Sequence, residues 1–278
     1  MTGSNMLQEG RRVPGSPTPL TSFLRPNHAE FEIDEKPALV IAHMQRGFGA
    51  ESLFLPRERR PLAEAAVRAS GVVESCRALV DAFRANGLPV IFLQAIPNPI
   101  GKLPAYGGLF QKMSEPIEDD TPGPYPAFRP FFTDEHMRRG LEVMPEMGYV
   151  EGQGSDYVLY HWAVHAFTNS GLDLVLKKEK CQTIVWGGIP LNGIVYASSI
   201  VAGDLWYSGI IPVDASSVTA PPWIPGYHDG LHDVVAEAMV RGMATQYNQV
   251  TDTATVVEKL SRYSAAAAIP ARATSGDR

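Results

Sequence analysis

Residues 187–199 read GGIPLNGIVYASS; they follow the apolar run QTIVW and continue as IVAGDLWYSG. An apolar run, a Gly-rich turn and a helix-period segment, in that order, read as strand, turn and helix, the unit that builds parallel α/β sheets. Turns of this kind are a common seat for an enzyme nucleophile. This one holds no Cys, and its first Ser, Ser198, falls inside the helical segment.

The same alternation recurs on both sides of the turn. Short, near-continuous apolar runs occur at PALVIAH (37–43), LPVIFLQ (88–94), DYVLYH (156–161), QTIVWGG (182–188) and IIPVDA (210–215). Runs without strict alternation suit strands buried on both faces, as in a parallel sheet. Helix-period segments lie between them, at 61–87, 172–180, 192–209 and 231–244. The first ends in Asn-Gly, a helix stop, and the second carries its lysines at its C-terminus, where they suit the helix dipole. Strand–helix–strand alternation predicts an open, doubly wound α/β sandwich. Sites in such sheets lie beyond the carboxyl ends of the strands. That rule makes neighbours of His43, the segment after Leu93, His161 and the 187–194 turn.

The chain has 278 residues, enough for one large α/β domain, with 45% apolar and 19% charged residues. Its net charge is −6 and no Lys/Arg cluster stands out, which argues against nucleic acid or an anionic membrane as partner. No run reaches the ~18 apolar residues of a membrane span, and the N-terminus lacks the apolar centre of a secretory signal. The expected location is the cytoplasm. Residues 1–35 are Pro-rich and polar and read as an extended arm that could wrap a neighbouring subunit; 36–262 form the domain, and 263–278 an Ala-rich tail. Residues 95–150 separate two strands by too much chain for a plain connection, and their aromatic residues predict an ordered lid or oligomer contact. Two isolated thiols, Cys76 and Cys181, make neither a disulfide framework nor a metal cluster and read as buried structural cysteines.

Three segments together resemble the isochorismatase-like cysteine hydrolases. PALVIAHMQRGF is similar to the family's opening strand, of the form ALLVIDMQNDF. YVLYHWAVHAFTNSGLDLVL resembles its third-strand segment, and WGGIPLNGIVYASSIVAGDLWYSG its nucleophile turn, G-V-A-T-N-V-C-V-x-x-T-A-x-x-A-x-x-x-G. The resemblance spans roughly residues 36–262. It implies a three-layer α/β/α sandwich around a mainly parallel sheet of about six strands, assembled as a homodimer or homotetramer. In the family an Asp activates a Cys thiol, a Lys orients and polarises the site, and the Cys attacks an amide carbonyl. Matched residue by residue, the Asp position is His43, the Lys position His161 and the Cys position Ile194. An acyl-thioenzyme route through Ile194 is excluded. Ser198 and Ser199 lie about one helical turn beyond and read as packing residues, while Cys181 lies at the far end of its strand. The family's cis peptide before the nucleophile falls on Ile189–Pro190, where proline lowers the cis penalty to about 0.5–1 kcal/mol.

Two imidazoles at the two polar positions could supply a general base and a general acid near neutral pH. The expected function is therefore hydrolysis of a small cyclic or conjugated carbonyl or carboxylate compound by non-covalent acid/base chemistry, with lyase or isomerase chemistry open to the same pair. The isochorismatase branch of the family offers a precedent: it cleaves an enol ether without needing the Cys. The alternatives are an inactive family scaffold that binds a small ligand or protein partner, and a divergent amidase with a displaced nucleophile. Gln45, Phe48, Trp162, Ile189, Pro190, Asn192, Ile194 and Tyr196 are the expected pocket residues. His228 and His232, beside Asp229 and Asp233, have the i,i+4 spacing of a metal pair at a helix start, but solvated polar residues are the default there, and neither metal nor cofactor is expected.

Overall fold

The computed structural model describes residues 18–33, 35–48, 64, 67–95, 134–151, 154, 156–161, 163–218, 229–245 and 248–267. Six strands form one sheet: β1 (Pro37–Ala42), β2 (Val90–Ala95), β3 (Tyr157–His161), β4 (Thr183–Gly188), β5 (Ser208–Pro212) and β6 (Asn248–Thr251). Every pairing is parallel, and the order is β3-β2-β1-β4-β5-β6. The chain winds outward from β1 to one edge and from β4 to the other. Ligands of open parallel sheets bind where the order reverses, so the β1/β4 boundary is the natural site.

The central strands are apolar throughout because helices cover both faces. Around them lie α1 (Val72–Ala85), α2 (Asp134–Leu141), α3 (Leu172–Glu179), α4 (Tyr196–Asp204), α5 (Asp229–Met243) and α6 (Thr253–Ala267). One core contains Val40, Ala42, Leu93, Ile184 and Trp186 of the sheet with Leu172, Leu176, Val195, Ala202 and Val240 of the α3, α4 and α5 side. The other contains Leu39, Ile41, Phe92 and Val185 with Val72, Cys76, Leu79, Val80 and Phe83 of α1 and Val256 and Leu260 of α6. The α1 set recurs at threes and fours and forms one stripe. Each such side chain, fully buried, contributes about 1.5–3 kcal/mol. This is the expected three-layer α/β/α sandwich.

Several elements differ from the sequence reading. The helix expected over 61–87 is interrupted: residues 67–69 are helical, Gly71 adopts φ 72°, and α1 starts at Val72. Ser70 marks the break, its hydroxyl donating to Val67 O at 2.7 Å. The helix expected to reach 209 ends at Asp204, and β5 starts at Ser208 rather than 210. Strand β6 and helix α6 were not anticipated. NQVT is short and polar, and its place in the sheet rests on pairing with β5 and on Asn248, whose amide donates to Ser199 Oγ at 3.3 Å. Of the expected arm, residues 18–33 lie against their own chain: His28 Nε2 meets Asp252 at 2.9 Å, and Lys259 meets Glu32 at 3.4 Å. Residues 1–17, 96–133 of the expected lid, and 268–278 of the tail lie outside the described residues.

The β1/β4 boundary depends on Gly188, at φ 95°. A Cβ there would stand 2.0 Å from Ala42 O, inside any allowed contact. The space permits Ile189 N–H to donate to Ala42 O at 2.9 Å, while Ser216 Oγ donates to Gly188 O at 2.6 Å. Gly188→Ala should therefore destabilise the fold by roughly 2–4 kcal/mol through backbone displacement. Gly71→Ala has a positive φ but nothing within 4 Å of the new Cβ, and should cost about 1 kcal/mol or less. Urea denaturation of the two variants checks the contrast.

Candidate active site

His43 follows the last residue of β1, and its N–H donates to Leu93 O at 2.8 Å. It adopts φ 56°, a left-handed conformation uncommon for a side chain of this size. Outliers of this kind persist where the surrounding structure over-determines them, and they concentrate at functional sites. Around His43 the over-determination is visible: backbone hydrogen bonds fix residues 42 and 43 to β2 and to Ile189.

His161 ends β3, two strands from β1. Neighbouring strands lie ~4.8 Å apart, so two long side chains must reach toward each other to meet across β2. They do. His43 Nε2 lies 2.8 Å from His161 Nε2, with ring centroids 5.0 Å apart and planes inclined by 11°. His161 is 2% exposed, and its Nδ1 lies 3.0 Å from Ala163 O, which fixes Nδ1 as a donor. Phe48 stacks on His43 from another side, centroids 5.5 Å apart.

Burial pushes the His43 imidazole well below its ordinary range, the neighbouring His161 lowers it further, and a hydrogen bond to the Ile189 backbone opposes both. Burial likewise lowers His161 to about 4; the Ala163 carbonyl opposes the shift and His165 adds to it. Two neutral rings are thus the resting state near pH 7.

Of the other expected pocket residues, Gln45 is fully buried and tied to backbone: its amide donates to Ala95 O (3.1 Å) and Gly140 O (2.9 Å) and accepts from Ala95 N–H (2.7 Å). It holds the loop after β1 against the end of β2. Ile189 and Ile194 are each 3% exposed but pack in different cores, Ile194 with the α4 side and Ile189 with the α1 side. The Ile189–Pro190 bond is cis. Leu191–Val195 form a widened helical turn with Gly193 at φ −128°, ψ −107°, and Asn192 and Tyr196 are half-buried. Trp162 and His228 lie outside the described residues, as does the side chain of His232, and no group of three or more metal-ligating side chains occurs among the described residues.

Ser198 Oγ accepts Ala166 N–H at 2.8 Å, and Ser199 Oγ donates to Tyr196 O at 2.9 Å, so both hydroxyls hold the fold. Cys76 is buried, its thiol donating to Ala215 O at 3.3 Å, and burial pushes it up to about 12. Cys181 lies just before β4, at the opposite end of the sheet from His43, and burial raises it to about 11. His165, at H-x-x-x-H spacing from His161, and Gln94, which the sequence does not single out, carry unpaired atoms. His165 has its Nε2 3.0 Å from Thr168 Oγ1 and a buried Nδ1 with no partner. Gln94 is 1% exposed, with neither amide atom hydrogen-bonded. Each orphaned group costs about 1–3 kcal/mol. Gln94 closes an apolar run and His165 lies in the loop after β3, and nothing in the residue pattern marks either as unpaired.

The isochorismatase domain profile matches residues 37–258. No curated protein matches the sequence. Among solved structures, the chain is similar to an isochorismatase family protein from Burkholderia thailandensis (TM-score 0.57, 22% identity, 83% of this chain and 98% of that one). It is also similar to a cysteine hydrolase from Pseudomonas syringae pv. phaseolicola (0.60, 19%, 84% and 96%) and to N-carbamoylsarcosine amidase from Thermoplasma acidophilum (0.51, 20%, 78% and 96%).

A buried neutral imidazole sets the sign of a pH effect. The folded-state pKa of His161 is below 6.5, so the unfolded chain binds the proton more tightly; this contribution to stability is intact above pH 6.5 and is lost as pH falls toward about 4. Over that window the wild type should lose on the order of 3 kcal/mol relative to His161→Leu. Thermal melts of both proteins at stepped pH check this; parallel curves would contradict a neutral buried ring.

Proposed function

The chain belongs to the isochorismatase family, and from that premise we propose that it is a hydrolase working by non-covalent acid/base chemistry on a small cyclic or conjugated carbonyl or carboxylate compound, with His43 and His161 handling the proton. The observation that carries this reading is the 2.8 Å contact between the two Nε2 atoms at converging strand ends.

Counting protons gives the pair its chemistry. Two neutral imidazoles carry one N–H each. Two contacts take them up: the Nε2–Nε2 contact and the Ala163 carbonyl. With His161 Nδ1–H bound to Ala163, His43 supplies the proton between the rings from Nε2. His43 Nδ1 is then the ring nitrogen left with a lone pair, and it is the atom that takes a proton. The Ile189 backbone favours uptake, while burial of the resulting charge disfavours keeping it. A ring whose uptake the Ile189 backbone favours and whose burial holds it well below its ordinary range can accept a proton and return it. Hydrolysis needs both steps: the pair takes a proton from the attacking water and returns one to the leaving oxygen. The high thiol pKa values of Cys76 and Cys181 favour this route over a displaced cysteine.

One observation favours a second reading, a scaffold that binds without turnover: each Nε2 faces the other ring rather than an open site. A turnover screen of cyclic and conjugated carbonyl compounds and enol ethers separates the two. On the substrate it finds, His43→Ala and His161→Ala should each lower kcat by about 10²–10⁴-fold, while Cys76→Ala and Cys181→Ala leave it unchanged. Undiminished turnover in either histidine variant overturns the assignment, and compounds that bind without reacting support the scaffold.

A further inference from the structure

Helix α4 ends against two local rules. Asp204 is its last residue, Leu205 follows as the cap, and Trp206 stands next at φ 66°. Tyr207 N–H donates to Ala202 O at 2.9 Å and Trp206 N–H to Gly203 O at 3.0 Å, the paired bonds that close a helix through a left-handed residue. Glycine is the usual occupant of that position, because a Cβ is disfavoured there. Here it holds a tryptophan that is 93% exposed, so little packing offsets the unfavourable backbone. Asp204 breaks the second rule. A carboxylate in the last turn meets the negative end of the helix dipole, and that turn carries no basic residue.

The two residues share one setting. With Gly203, Tyr207 and Ser208 they line a surface groove of about 340 Å³. Tyr207 is fixed there, its hydroxyl donating to Asp173 at 2.8 Å. The groove lies at the start of β5, whose first residue stands opposite Thr183 at the start of β4, and so at the far end of the sheet from His43. Among the described residues its lining carries one charged side chain, the Asp204 carboxylate. The C-terminal carbonyls of α4 and the face of an indole add partial negative charge. We propose that this groove binds an alkylguanidinium group, stacked on the Trp206 indole and paired with the Asp204 carboxylate. A planar guanidinium suits both partners at once: it lies flat on an aromatic face and meets a carboxylate through two parallel N–H bonds, where an ammonium offers a point charge. The two residues that weaken the helix end are then the two that hold the ligand.

NMR titration of the full chain with butylguanidinium, and with butylurea as its neutral counterpart of the same shape, tests the proposal. The signal to follow is the Trp206 indole N–H, identified by its loss in Trp206→Gly. Butylguanidinium should shift it and bind about fivefold or more tightly than butylurea. Equal binding of the two, or no shift with either, overturns the proposal. Trp206→Gly should lower the guanidinium affinity by about threefold or more while melting at the same or a higher temperature, because glycine suits the backbone there. Unchanged affinity in that variant overturns the proposal. Asp204→Asn should bring the guanidinium affinity down to that of butylurea, and a preference that survives it overturns the proposal. If Trp206→Gly melts at a lower temperature, Asp204→Asn decides alone on the same criterion. A blocked Leu-Arg-Leu tripeptide separates the two sources of the group. Tighter binding than butylguanidinium places it on an arginine of a partner protein, and equal or weaker binding places it on a free small molecule.

Discussion

The close approach of β4 to β1 at Gly188 is the constraint on which the site depends. Only a residue without Cβ lets the Gly188 backbone lie against Ala42. That contact places Ile189 N–H on Ala42 O, and so sets where both His43 and the Ile189 carbonyl stand. From there the chain diverges on both sides, into the 191–195 turn and into the loop that Gln45 ties to β2. The position where the strand order reverses is thus also one where the backbone admits no Cβ.

The polar side chains around this point divide into two kinds. Gln45, Ser198, Ser199 and Ser216 have their hydrogen bonds taken up by backbone, and they hold the loops still. The two histidines face each other, and Gln94 faces nothing that can bond it. Local precision and an unpaired amide thus occur within a few residues of each other.

Much of this was legible in the sequence, for definite reasons. Five of the six strands were readable because residues buried on both faces leave continuous apolar runs such as PALVIA and TIVWGG. The pairing of His43 with His161 followed from two strand ends and one topological rule, and the cis bond at Pro190 from the family resemblance. Strand β6 was not legible, because NQVT has no apolar pattern and gains its place from β5 and Ser199. Gln45 was read as lining the pocket, since sequence position cannot show that its amide is taken up by Ala95 and Gly140. Gln94 went unnoticed for the converse reason: a polar residue closing an apolar run looks like an ordinary strand end, and only the packed structure shows that nothing meets it.

Two histidines rather than a charged pair at these strand ends have a physical logic of their own. A charged pair must be taken out of water at several kcal/mol per ion, and it holds only if its attraction and its hydrogen bonds offset that. Two neutral imidazoles occupy the same ends without resting charge, so the site can close more tightly around them. The surroundings agree with this: His161 is almost fully buried, Phe48 covers one face of His43, and among the described residues no carboxylate acts on either ring. Charge then enters only when a proton does. The same enclosure that keeps the pair neutral at rest also opposes holding a proton.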